Sequence, residues 1–582
     1  MLRHYLPLAI IPLALIFWGL FGASPLMTAS YSALVDYQTP YKQRSAPGSP
    51  GDALSDQVVI VVVGGLRLDQ SLGLNTLQQL RARGADRVVR TGLPSFSLPG
   101  WAVIGTGAWQ EQHGQTTNLD ARPLAIDSLF EAAHRKGLST ALAGAAGWDV
   151  LFKDQIDMLR TEPNPPARRA LDDARKQDDA IEANALQLLT GTRPGLLLVQ
   201  FAELNDAYHA FGVFSQEGRQ ALQDVDTRLG RLVQAVDLSR STLIITADHG
   251  QIDPGGSGGP EDAVVEIPLV AVGKGVQPGK YTQAMQTDIA PTAAILLGTS
   301  IPAESQGDVL FDMLDMPGHA QAVRSVDWVR QIVDRYDVID KVIGVGSLQH
   351  PKLAEAQSDL LLGDDAGTLA AVRAEVAATR DAAVSFREGR LEQERLMRIP
   401  AFLLLLLPLA LYAWFARRMD WEFKRPVIAG LVYFVVFYAL FVAHGYGFSL
   451  SAVNEDSLIT SWFAARAVDS ILALCGAAVV LGLLSHGEYK TWTTLNVFNM
   501  AFVVAALLWF QVCIFYWLYD FSWSWYLPDP VLSFKYFIDV IQTGSFMPGN
   551  PPLPVILALP LLTLVVKWAA ERTGDFLTQR TR

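Results

Sequence analysis

Gln57-Val58-Val59-Ile60-Val61-Val62-Val63-Gly64-Gly65 is the stretch on which the reading of this chain turns. Six β-branched apolar residues in a row, without the alternation of a half-exposed strand, form the pattern of a strand covered on both faces, as strands of parallel sheets are. The glycine pair then ends the strand in a tight turn. G-x-G-x-x-G is absent, so the pair marks no dinucleotide loop. Downstream, the spacing predicts a helix over 72–83, closed by Gly84. The same β-then-α rhythm recurs, with helices expected over 126–136, 178–189, 217–236 and 287–297 and strands over 139–143, 195–201, 242–246 and 267–272. Alternation of this kind argues for a doubly wound α/β domain.

Outside that domain the composition changes. Half of the 582 residues are hydrophobic and only 18% are charged, too oily for a chain wholly in water. Six stretches approach the roughly 18–20 apolar residues of a bilayer-spanning helix: 6–23, read as a signal anchor, then 399–416, 427–444, 468–484, 495–519 and 553–570. The expected organisation is an anchor (1–23), a Pro- and Gly-bearing linker (24–56), the α/β domain (57–325), a charged helical stalk or lid (326–398) and a five-helix transmembrane bundle (399–582).

Arg417, Arg418, Lys424 and Arg425 gather in one loop, Lys490 in another, and Lys567, Arg572, Arg580 and Arg582 at the C-terminus. Positive loops stay inside, so both termini are expected in the cytoplasm and residues 24–398 on the outer face of a multi-pass membrane protein. The expected partners are the lipid bilayer and membrane proteins. Polar residues within the spans, among them Arg466, Asp469, Asn496, Asn499 and Gln511, are expected to hydrogen-bond between helices. The formal net charge of −12 is the wrong sign for a nucleic-acid partner. The two cysteines, Cys475 and Cys513, lie in apolar stretches, so any metal would fall to His, Asp or Glu.

In α/β sheets the chemistry sits in loops beyond the carboxyl ends of the strands. Three segments stand out there: Pro94-Ser95-Phe96-Ser97-Leu98-Pro99-Gly100, followed by Thr106-Gly107 and His113-Gly114; Asn205-Asp206-Ala207-Tyr208-His209; and Thr246-Ala247-Asp248-His249-Gly250. By themselves Ser97 reads equally as a helix cap, His209 as a core histidine and Asp248-His249 as a hydrogen-bonded scaffold. His113 reads as structural.

Together, in this order and spacing, the segments resemble the alkaline phosphatase superfamily, in particular its type I phosphodiesterase and nucleotide pyrophosphatase branch, over about residues 58–310. Joined to a multi-span C-terminal bundle, the layout is also similar to the ethanolamine-phosphate transferases of glycosylphosphatidylinositol anchors. The resemblance implies an alkaline-phosphatase-like fold in which Ser97 is the nucleophile, Asp248 and His249 hold one divalent cation and His209 serves another. The ligand implied is a phosphate ester or lipid headgroup.

The chain departs from that pattern where the chemistry has little slack. Gly64 stands where the first metal-binding Asp belongs, Asn205 where another is expected with Asp206 beside it, Ser257 where the last His would align, and Gly100 where an Asn is common. Candidates to compensate are Asp206, Asp69, Glu203, Glu261 and Asp262. Losing anionic ligands leaves a two-cation cluster under-neutralised, so the expectation is one Zn or Mn ion or none. These failures tip the reading toward an impaired or inactive enzyme serving as a structural or binding component of a membrane assembly. The alternative is an active metal-dependent phosphodiesterase or phosphoethanolamine-type transferase.

Overall fold

The computed structural model describes residues 24–42, 45–163, 171–344, 349–419, 421–445, 447–453, 456–544 and 552–580, with a few positions before 24. The anchor expected over 6–23 therefore lies largely outside the described residues. The chain divides into two compact units, one of Leu34–Arg390 with Ser524–Leu527, the other of Met1–Ala33, Leu391–Trp523 and Pro528–Arg582.

The first unit is built on a mixed sheet. Its strands are β1 (Gln57–Val63), β2 (Ala85–Arg90), β3 (Thr140–Ala145), β4 (Met158–Glu162), β5 (Leu196–Phe201), β6 (Ser241–Thr246), β7 (Glu266–Gly273) and the short β8 (Gly279–Lys280) and β9 (Ala284–Met285). They run in the order β4-β3-β5-β1-β6-β7-β2-β8, with β9 also on β2. β1 is central, parallel to β5 with Val63 opposite Phe201 and parallel to β6 with Val62 opposite Thr246. Val58 to Val63 are fully buried, each side chain contributing about 1.5–3 kcal/mol by leaving water.

Two features add detail to the doubly wound expectation. β7 runs antiparallel to both β6 and β2, and β2 and β4 carry no strand signal in the sequence. In β2 the inward face is Ala85, Arg87 and Val89. Arg87 interrupts the apolar pattern, yet it is buried because Asp312 pairs with it and the Tyr281 ring lies 5.2 Å from its guanidinium. β4 is an edge strand whose residues are half-covered.

Around the sheet stand α1 (Ser97–Thr106), α2 (Leu171–Gln187), α3 (Glu203–Phe211), α4 (Gln216–Ala235) and α5 (Ile289–Leu297), with shorter turns between them. Beyond the sheet the charged region folds as α6 (Gly318–Ile343), α7 (Pro351–Leu361) and the start of α8 (Asp365–Arg418).

The second unit is helical. It holds the end of α8, α9 (Lys424–Ala443), α10 (Asp456–Leu484), α11 (Lys490–Tyr519), α12 (Pro530–Gly544) and α13 (Pro552–Arg580). Among the described residues four helices are long and apolar enough to cross a membrane, and five if the two segments of α8, bent by 42°, form one span. Their polar residues pair internally. Tyr412 donates to Asn499 Oδ1 at 2.6 Å, Tyr433 lies 3.0 Å from Ser470 Oγ, and Arg466 pairs with Asp469 at 2.8 Å, so these costly groups meet polar partners within the bundle.

Candidate functional site

β1 and β6 lie side by side and end at the same edge of the sheet, so the turns that follow them, Gly64-Gly65 and Asp248-His249, are neighbours. Gly65 adopts φ +72°, and a side chain there would come within 3.0 Å of Gln251 Nε2; only glycine takes this turn without strain. Its N–H donates to Asp248 Oδ1 at 3.0 Å, and the His249 N–H donates to the same oxygen at 2.9 Å. The second oxygen, Oδ2, accepts from Trp101 Nε1 at 2.9 Å, and Gln286 Nε2 donates to the Asp248 carbonyl at 2.7 Å. Asp248 is 1% exposed. Three N–H donors thus hold a buried carboxylate in place.

His249, fully buried, places Nδ1 2.7 Å from the carbonyl of Gly250 and Nε2 3.0 Å from Ser97 Oγ. A carbonyl only accepts, so Nδ1 carries the proton. Nε2 is then the acceptor, and the Ser97 hydroxyl donates to it. Ser97 opens α1, after Phe96 in extended conformation, where the positive end of the helix dipole favours an anion. A hydroxyl within hydrogen-bond reach of an imidazole nitrogen is placed as a nucleophile beside its base.

Asp206 and His209 lie on α3, Asp206 buried and His209 half-buried in the last turn. Among the described residues no three or more His, Cys, Asp or Glu side chains are grouped to hold a metal ion, so Asp206 and His209 are not gathered with Asp248 and His249 into one. Asn205 Oδ1 instead accepts from Gln251 Nε2 at 2.7 Å. A carboxylate at Gly64 would start from a Cβ 3.0 Å from the Phe201 carbonyl and 3.3 Å from Asn205 Cβ.

Nor do the compensating carboxylates converge. Asp69 is bound by Arg67 at 2.8 Å and Asp262 pairs with Arg90 at 3.4 Å. Glu203 is held by Arg228 at 2.8 Å, its carboxyl pushed up to about 7 by burial. A pair of divalent ions would need anionic and imidazole partners at the positions where this chain has Gly64, Asn205 and Ser257, which supply neither. These residues do not fit the expected metal pair.

Trp101 and Gln286 are the site residues that motif reading leaves out. Trp101 carried one available signal, its place four residues after Ser97 on one helix face. Gln286 carried none.

Residues 58–254 match the family model of type I phosphodiesterase / nucleotide pyrophosphatase. The chain is 21% identical over 389 residues to GPI ethanolamine phosphate transferase 1 of Emericella nidulans, covering 56% of this chain and 41% of that protein. It is 24% identical over 283 residues to the human GPI ethanolamine phosphate transferase 2, catalytic subunit, covering 45% of this chain and 28% of that protein. It therefore spans less than half the length of either relative. Among solved structures, murine ectonucleotide pyrophosphatase / phosphodiesterase 5 aligns with 44% of this chain and 100% of its own at 15% identity, with a TM-score of 0.37. The first unit is a mixed α/β domain that carries the phosphodiesterase family match, and an apolar helical region accompanies it. The expectation of an inactive domain draws no support from these relatives.

Proposed function

We propose that this chain is an integral membrane enzyme of phosphate-ester chemistry, a phosphodiesterase or phosphotransferase that acts through Ser97 on esters borne by lipids or glycans at the outer membrane face. The observation that carries this reading is the 3.0 Å approach of Ser97 Oγ to His249 Nε2 at the carboxyl edge of the sheet. The match of residues 58–254 to a phosphodiesterase family supports it. So do the transferase names of the relatives and the apolar helices that would bring a membrane-borne ester to the domain. Asp248 is assigned to fixing the turn that presents His249, with its N–H partners as described.

In this assignment residues 57–325 are the catalytic domain, 326–398 the stalk and 399–582 the bundle. Lys and Arg near the spans support an outward-facing domain with both termini inside.

The test uses the full chain purified in detergent, with bis(p-nitrophenyl) phosphate and a lipid phosphodiester as substrates. Ser97→Ala is expected to lower turnover at least ~10³-fold, since it removes the nucleophile, with the melting temperature little changed. Turnover that survives Ser97→Ala would refute the assignment of the nucleophile.

A second reading, a binding component of a membrane assembly, is favoured by one observation: Gly64, Asn205 and Ser257 stand where charged or imidazole ligands were expected. It requires that the wild-type chain bind a phosphate ester without turnover and that Ser97→Ala leave the assembly intact.

A further inference from the structure

We infer that Ser97 and His249 work as a metal-independent pair, with His249 as the base and the Trp101 indole holding Asp248 in the turn that presents that base. This rests on the phosphate-ester reading above and specifies the chemistry of that same site. Trp101 is not free to withdraw from Asp248. Its ring, 6% exposed, stacks on Trp148 with centroids 5.2 Å apart and 11° between planes, and Trp148 stacks in turn on Phe152 at 5.6 Å. On one side Gly147 leaves room for the ring; a Cβ there would lie 2.9 Å from Trp101 Cζ3. On the other, a Cβ at Gly100 would lie 2.9 Å from the Asp248 carbonyl, so α1 is pressed directly onto the loop. A slab of close-packed rings repacks only at a cost of a few kcal/mol. The indole N–H therefore keeps Oδ2 engaged, while two backbone N–H groups keep Oδ1.

The same arrangement supplies what a serine nucleophile needs without a cation. Hydrogen bonding of Nδ1 to the Gly250 carbonyl, at 2.7 Å, fixes the tautomer whose Nε2 lone pair faces Ser97. In the first step the Ser97 hydroxyl proton passes to His249 Nε2 as the Oγ–P bond forms and the P–O bond to the leaving alcohol breaks. The departing oxygen then takes that proton from Nε2, leaving a phosphoester on Ser97. In the second step an acceptor hydroxyl, from water or an alcohol, gives its proton to Nε2 and bonds to phosphorus. The P–Oγ bond breaks, and Oγ recovers the proton. A phosphodiester carries a single negative charge, which the positive end of the ten-residue α1 faces at Ser97.

The experiment treats the full chain in detergent with EDTA, measures bound metal by mass spectrometry, and follows bis(p-nitrophenyl) phosphate through the first turnover. The expected result is release of one nitrophenolate and a p-nitrophenylphosphoryl ester mapped to Ser97 by peptide mass, both unchanged by chelation, with no stoichiometric metal. His249→Asn, which leaves Ser97 without its base, is expected to lower the rate at which this Ser97 adduct forms about 10²- to 10⁴-fold. Turnover lost on chelation and restored by Zn²⁺ or Mn²⁺ would overturn the inference while the phosphate-ester reading stands. So would one ion per chain retained through EDTA. Neither turnover nor the Ser97 adduct in either state would overturn both.

Discussion

His113 closes the turn Gln110–His113 with its ring buried, Nδ1 accepting from the Gln115 N–H at 3.0 Å. Nε2 has no hydrogen-bond partner among the described residues, so a second proton would place a buried charge with nothing to meet it. Burial accordingly pushes the imidazole down to about 3 from an ordinary 6.5. The folded value lies below the unfolded one, so the stability this group contributes is present above pH 6.5 and is lost as pH falls toward 3. His113→Asn preserves an acceptor near Nδ1 and cannot protonate. Between pH 7 and pH 4 its loss of stability in denaturant titrations should be smaller than that of the wild type by roughly 3 kcal/mol; equal losses would show that His113 does not titrate as argued. Ser97, Asp248 and His249 were legible as a set because motif order survives in sequence, and they do meet in space. Trp101 was not, because its contact with Asp248 depends on how closely α1 approaches the loop after β6. The metal reading of Asp206 and His209 assumed convergence that a helix carrying both does not by itself provide.

At the scale of elements, α1 is the piece that turns a fold into a site, since it carries both Ser97 and Trp101. Its seat depends on glycine at two points, Gly100 against Asp248 and Gly105 against the Phe152 ring. A methyl at Gly105 would overlap that ring, so either the helix lifts or the aromatic slab shifts. Gly105→Ala is expected to cost about 1–3 kcal/mol despite the better helix propensity of alanine. It should also lower turnover, because a lifted α1 draws Ser97 away from Nε2. A variant as stable and as active as wild type would show that α1 is not seated as described. The strands divide similarly in legibility. β1, β5 and β6 announce themselves by apolar runs because they lie inside the sheet. β2 hides because Arg87 is buried through Asp312 and Tyr281, partners that lie almost two hundred residues or more away in sequence and that no local window can register.

For the whole molecule, the proposed orientation rests on which positive charges count. Arg417, Arg418, Lys424, Arg425 and Lys490 lie at the ends of α8, α9 and α11, and Lys567 and Arg572 near the end of α13. In the loops between the spans that follow α8, the exceptions on the opposite side are Arg466 and Lys535. Arg466 is 1% exposed within α10 and pairs with Asp469 at 2.8 Å, while Lys535 pairs with Asp539 on α12 at 2.5 Å. Both are tied to carboxylates on their own helices. Neither is a free loop charge of the kind that retains a segment in the cytoplasm, so the asymmetry is sharper than the sequence alone suggested. In a chain whose native Cys475 and Cys513 are replaced by serine and alanine, Lys153→Cys in the α/β domain and His486→Cys between α10 and α11 sit at exposed positions. A membrane-impermeant maleimide applied to intact cells is expected to label Cys at 153 at once and Cys at 486 only after lysis. The reverse pattern would place the α/β domain in the cytoplasm, removing Ser97 from esters on the outer leaflet and with it the proposed class of substrate. Labelling of both before lysis would mean that the loop between α10 and α11 is also outside, an odd number of crossings from the placement the charges require.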